Sequence, residues 1–351
     1  MVKEEMLLEV IADFREFNLP EFSQSYHYVI AMLTLMRAVG WVEMDYPTLV
    51  VESGVGLSFG YIRNHCVAMY SLQEGAQDRI AAATGCQIEF HVYADLEESW
   101  TWVKETIDRG QPVVAEFSEF HVIAGYREGD APEDRAWYVL ANEPISDWKG
   151  DWLTWEKVQE LREACPWSGF GARYGGRVAK EEPAVTLRRV MERLVEWCEH
   201  HPGEHKELYK GSIFGLAGIE AYAADLGDLS KTLESDFTFG NNACHAITPQ
   251  WNARGCISFY LAKNSALYEG AIRDLIVQAA VQYRDAYHSW VEFDELLGQR
   301  YVNRDGGKQA VGWADPERRK KASAAVYEAL KYEKAAIATL RETLAGMEKT
   351  M

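Results

Sequence analysis

No cysteine precedes Cys66, so the first 65 residues hold no thiol. The six cysteines, Cys66, Cys86, Cys165, Cys198, Cys244 and Cys256, form no C-x-x-C pair and no regular framework. That pattern excludes a disulfide scaffold and fits free thiols in a reducing compartment. Basic residues are few: 36 Lys and Arg stand against 54 Asp and Glu, a net charge of -18. A chain so acidic repels phosphate backbones and anionic lipid, so no nucleic acid and no membrane is expected as partner. No apolar run reaches the ~18 residues of a spanning helix. The opening MVKEEMLLEVIADF is acidic and amphipathic, unlike a secretory signal. The Gly-rich stretch Glu52–Tyr61 lacks the Gly-Lys-Ser/Thr of a phosphate loop, and no H-E-x-x-H occurs. No cofactor is therefore expected. There is no internal repeat and no low-complexity tail. These absences describe a soluble cytoplasmic protein.

Apolar residues, by contrast, are plentiful. They make up 48% of 351 residues, including 12 Trp, 18 Tyr and 13 Phe, enough for two domains with their own cores. Residues 4–15 read as a short amphipathic helix. SYHYVIAMLTLMRAV, from Ser25 to Val39, is apolar on nearly every side and reads as a buried helix closed by Gly40. Residues 78–84 read as helix and 86–93 as strand. From 96 to 144 the chain then gives a helix and three strands. Leu96, Trp100, Val103 and Ile107 share one helical face, and Gly110 stops it. Apolar runs of strand length follow at 111–115, 122–126 and 137–140. His121 opens the second, and Asn142 ends the third. Residues 152–163 read as helix, and Trp152 and Trp155 are expected mainly to pack.

The charged run 179–183 ends in Pro183 and marks a boundary. Beyond it, 185–200, 206–225, 243–263, 267–298 and 316–348 read as mainly helical, with Pro249 and Gly255 interrupting the third. Asp315-Pro316 is a strong helix start. The expected architecture is α+β: a domain over 1–180, then an all-α helical bundle over 181–351.

The order of motifs between residues 20 and 165 resembles papain-like cysteine enzymes of the bacteriocin-leader peptidase type. It is most similar to the N-terminal domain of the butirosin-biosynthesis acyltransferase group. The resemblance rests on the buried helix ending at Gly40 and on GVGLSFGY from Gly54 to Tyr61. It rests equally on Gly-Gln-Pro-Val-Val at 110–114, the His121-led strand and the strand ending in Asn142-Glu143-Pro144. It implies a papain-like domain with His121 as catalytic base, Asn142 as its orienter and Gln24 in the place of the oxyanion-hole glutamine. The nucleophilic Cys of that family opens the buried helix, where the helix N-terminus favours thiolate. In that family it sits about thirteen residues before the closing glycine, at the helix start. Here that slot holds His27.

Three chemistries follow. A relocated nucleophile would be Ser25 or Cys66 with His121 as base; Ser25 equally suits a helix cap and Cys66 a small apolar filler. Alternatively, His27 and His121 with Glu116 or Glu52 would supply the minimum of two imidazoles and a carboxylate for zinc or non-haem iron. The third and favoured expectation is a relative without the thiol that keeps the cleft to bind a small-molecule, acyl or peptide ligand. The apolar faces of the helical half could serve a homo-oligomer or only the internal core.

Overall fold

The computed structural model describes residues 4–9, 26–62, 75–117, 119–140, 150–164, 169–200, 211–230, 244–297 and 315–349. In chain order its elements are β1 (Glu4–Leu7), α1 (His27–Ala38), α2 (Tyr46–Glu52), β2 (Gly60–Ile62), α3 (Ala76–Thr84), β3 (Cys86–Val92) and α4 (Leu96–Asp108). There follow β4 (Val113–Phe117), β5 (Glu119–Glu128), β6 (Ala136–Leu140), β7 (Asp151–Thr154), α5 (Trp155–Ala164) and β8 (Phe170–Arg177). The rest is α6 (Pro183–Trp197), β9 (Ser212–Phe214), α7 (Gly215–Gly227), α8 (Cys244–Asn264), α9 (Gly270–Leu297) and α10 (Pro316–Glu348). The fold is α+β, with a helical C-terminal region. It divides into two units: residues 1–49 with 80–180, and residues 50–79 with 181–351.

The first unit is built on an antiparallel sheet of order β3-β8-β4-β5-β6-β7, with β1 added on β5. β5 carries β6 along one edge. Along the other, β4 pairs as far as Val113 opposite Ile123, and β1 takes over with Leu7 opposite Gly125. A Cβ on Gly125 would stand 2.5 Å from the Met6 carbonyl oxygen, so glycine is what lets β1 close in. Residues 4–7, which read as helix in the sequence, are therefore strand. The free edge of β5 satisfies their backbone groups, and Leu8 continues the contact by donating its N–H to the Ala124 carbonyl at 2.8 Å.

Strand alternation gives the sheet two faces. One carries Val113, Ala115, Ile123, Tyr126, Trp137 and Val139, which pack with Trp100, Val103 and Ile107 of α4 and with Trp155 and Val158 of α5. The Asp95 side chain caps α4 by accepting the Glu98 N–H. Gly110, at φ 77°, ends the helix as its sequence position suggested. The opposite face carries Phe120, whose ring meets that of Tyr28 in the first turn of α1 at 5.2 Å.

In the second unit β2 and β9 pair antiparallel, Tyr61 opposite Ile213. Residues 212–214 are thus strand where the sequence reads helix. Gly215 explains the break: it sits at φ 61°, and a Cβ there would run into the Cys198 carbonyl. The helix starts only there, as α7, with Phe214 at its cap position. α8 runs unbroken through Pro249 and Gly255, positions that read as interruptions. α9 and α10 are the long elements, at 28 and 33 residues, and α10 keeps the limits that its Asp315-Pro316 start implied. No helix among the described residues is long and apolar enough to cross a membrane.

Candidate functional site

Four strands set His121 in a row. His91 on β3 stands opposite Gly171 on β8, Gly171 opposite Ala115 on β4, and Ala115 opposite His121 on β5. Cross-strand partners share a face, so all four lie on the face covered by α4 and α5. Glu116 and Phe120 are opposite one another on the other face, where Glu116 is buried. Alternation therefore separates two of the expected site residues: His121 points away from the face that meets α1, and Glu116 points toward it. His121 itself is half-buried.

His27 is the first residue of α1, and its side chain is outside what the structure describes. Gln24, Ser25, Cys66 and Asn142 also fall outside the described residues. Glu52, at the end of α2, belongs to the second unit, where its Oε1 accepts the Tyr260 hydroxyl at 3.4 Å. Among the described residues, no three His, Cys, Asp or Glu side chains gather around a point that could hold a metal ion.

The sequence did not single out the aromatic group at the other end of the His121 row. His91 stacks on Trp102 of α4, with ring centroids 5.6 Å apart. Tyr93 meets both rings edge-on, at 5.4 Å and 5.7 Å. Arg173 covers Trp102 at 4.8 Å and bonds Glu89 at 2.9 Å. His91 Nε2 lies 2.9 Å from Glu98 Oε1. The Ala94 N–H, and after it His91, hold the Glu98 carboxyl below the usual carboxylate range.

Tyr93 is 7% exposed, and among the described residues its hydroxyl has no hydrogen-bond partner. Burial pushes its phenol well above the ordinary value. The hydroxyl rests on the bare Cα of Gly171, where a Cβ would collide with it. His91 lies on β3 and Tyr93 just past its end, two positions apart, a period-2 signal that was readable in Cys86–Tyr93. Their convergence with Trp102 depends on tertiary packing and was not.

The cysteines that the structure describes are not poised for nucleophilic attack. Cys86, Cys198 and Cys256 are buried free thiols. Burial pushes Cys86 up to about 12 and Cys198 up to about 11, the opposite of an activated thiolate. Compared with models of known protein families and with curated protein sequences, the chain matches none.

Proposed function

We propose that the first unit is a papain-like scaffold without the family's thiol, and that it binds a small-molecule, acyl or peptide ligand beside His121 rather than cleaving or transferring it. The order α1, α4, β4, β5, β6 along the chain supports the likeness to that scaffold. The observation that favours binding over catalysis is the side on which His121 stands. A general base must lie within hydrogen-bond reach of the group it deprotonates. His121 shares its face with Ala115 and Ile123, whereas the first turn of α1 meets the face of Phe120. A half-buried imidazole at the margin of an aromatic-rich core suits recognition of a ligand with an apolar body and a polar end.

The test is a thermal-shift series with N-acyl amino acids, acyl thioesters and short peptides, on wild type and His121→Ala. At least one class is expected to raise the melting temperature of wild type and not of the variant, with no change in intact mass. Stabilisation by none of the three classes would sink the proposal. An acyl adduct that disappears in His121→Ala would replace it with catalysis through Ser25 or Cys66.

A further inference from the structure

The sheet of the first unit ends on two unlike edge strands. β7 closes one edge with four residues, Asp151–Thr154, and opens on an exposed acid. β3 closes the other with seven, Cys86–Val92, and its only strand neighbour among the described residues is β8. Edge strands are ordinarily guarded by lysine, proline, a bulge or shortness. β3 has no Lys, Arg or Pro, and the residue left over where its register shifts, Gly175, belongs to β8. Phe90 and Val92 are 37% and 77% exposed.

Backbone groups alternate sides along a strand. Just past the end of β3, the Tyr93 N–H donates to the Gly169 carbonyl at 2.8 Å, on the β8 side. The register is unbroken over 88–92, so His91 and Glu89 also turn their N–H and C=O to β8, while Ile88, Phe90 and Val92 turn theirs outward. Among the described residues nothing bonds those outward groups. On the side-chain level, Phe90 meets Phe170 at 5.6 Å, and Phe170 meets Phe120 at 5.7 Å, so a row of aromatic rings runs out to the open edge.

We propose that β3 pairs antiparallel with β3 of a second copy of this chain, Phe90 opposite Phe90, joining two sheets across a twofold axis. The strand is self-complementary in that register. Glu89 faces His91 of the partner subunit, acid against base, and Ile88 faces Val92 of the partner subunit. The Glu89 and His91 side chains are 44% and 36% exposed, open to such a neighbour. Registers centred on Glu89 or on His91 instead set like groups against themselves, which is unfavourable across a strand pair. The outward groups of Ile88, Phe90 and Val92 exchange main-chain hydrogen bonds, and a twofold axis makes each contact twice. This self-match selects a second copy over a foreign strand. The edge lies within the first unit, and the inference does not rest on the reading of His121.

Sedimentation velocity of the full chain from about 1 µM to about 100 µM, the range of modest affinities, tests it. A dimer is expected to grow in with concentration. Over the same range the Ile88, Phe90 and Val92 amides should gain hydrogen-exchange protection, while those of Glu89 and His91 are protected throughout. Val92→Pro removes an outward N–H without touching the β8 ladder, and should leave a folded monomer by circular dichroism. Should it fail to fold, Val92→Lys, a charge on an exposed edge position, serves in its place. Phe90→Cys should link two copies by a disulfide on mild oxidation, because a hydrogen-bonded antiparallel pair sets its Cα atoms about 5.5 Å apart. Glu89→Cys, offset from its own copy, should not. A chain that stays monomeric at every concentration overturns the proposal, including one that takes up a foreign extended peptide at this edge. So does a dimer that survives the folded Val92 variant. Ile88, Phe90 and Val92 amides already protected in the dilute monomer would mean that the edge is covered within one chain, and cross-linking through Glu89→Cys but not Phe90→Cys would refute the register.

Discussion

The two units handle charge in opposite ways. In the first, ionic groups gather at the margin of an apolar core. The Lys104 ammonium lies 4.0 Å from the centre of the Tyr126 ring. It donates to the Tyr126 hydroxyl at 2.5 Å and to Glu4 at 2.9 Å, with Asp108 at 3.4 Å. Both carboxylates reach solvent. In the second unit an ion pair sits inside the core: Arg254 forks onto Glu333 at 2.9 and 3.0 Å, and these side chains are 3% and 5% exposed. The Trp290 indole N–H points to the same carboxylate at 3.4 Å. A sheet offers a continuous apolar face and pushes charge to its rim. A bundle of long helices encloses whatever its inward stripe carries, so a charge there must bring its partner.

The largest expected effect breaks this contrast at its strongest point. Arg254→Met leaves Glu333 buried and unpaired, and the expected loss is about 3–5 kcal/mol. Replacing both, Arg254→Met with Glu333→Leu, should return most of it, because two apolar side chains remove the need for compensation. Urea unfolding followed by circular dichroism measures both. A single variant that costs no more than a surface substitution would show that the pair is not enclosed as described.

Next in size is the crowding at Gly171 in the first unit. Gly171→Ala places a methyl against the Tyr93 hydroxyl, and overpacking of this kind costs about 1–3 kcal/mol. Tyr93→Phe removes an unpartnered hydroxyl and should be neutral or stabilising by about 1 kcal/mol. It should also recover part of the loss in the Gly171→Ala background. If Tyr93→Phe is instead destabilising, the hydroxyl has a partner that the contrast between the units overlooks.

The same difference between the units decides how much was legible in the sequence. Leu96, Trp100, Val103 and Ile107 announced α4, and three of them are fully or almost fully buried. Asp315-Pro316 fixed the start of α10, where Asp315 accepts the N–H of Glu317 and of Arg318. Local periodicity and cap chemistry carry such elements. β1 and β9 were misread because their strands exist only through distant partners, Gly125 for one and Tyr61 for the other. A four-residue stretch such as Glu4–Leu7 has no period of its own long enough to declare itself. The site was legible only in outline. His121 stood out by chain order, but the face it occupies depends on the Ala115 register.

The smallest expected effect lies at the rim of the sheet unit, where β1 is held by Glu4. The side-chain hydrogen bonds from Lys104 and then Tyr126 lower the Glu4 pKa from the ordinary 4.5. A lowered carboxylate pKa contributes stability that is complete above the unfolded value and is lost as pH falls through the folded one. Tyr126 behaves inversely. Burial, opposed by Lys104, pushes its phenol from 10.0 up to about 12, so its contribution is complete below pH 10.0 and fades as pH rises through about 12. β1 should therefore be held most firmly between these limits. The reporter is the Leu8 amide, which donates to the Ala124 carbonyl at 2.8 Å. Its hydrogen-exchange protection factor should fall on acidification below pH 4.5, while the amides of β4 and β6 keep theirs. Lys104→Met should lower protection at neutral pH and flatten the acid response. The change is modest because exposed ion pairs are screened by water. Uniform loss of protection across β1, β4 and β6 would mean that the rim is no weaker than the core, and the contrast between the two units would then reduce to the Arg254–Glu333 pair alone.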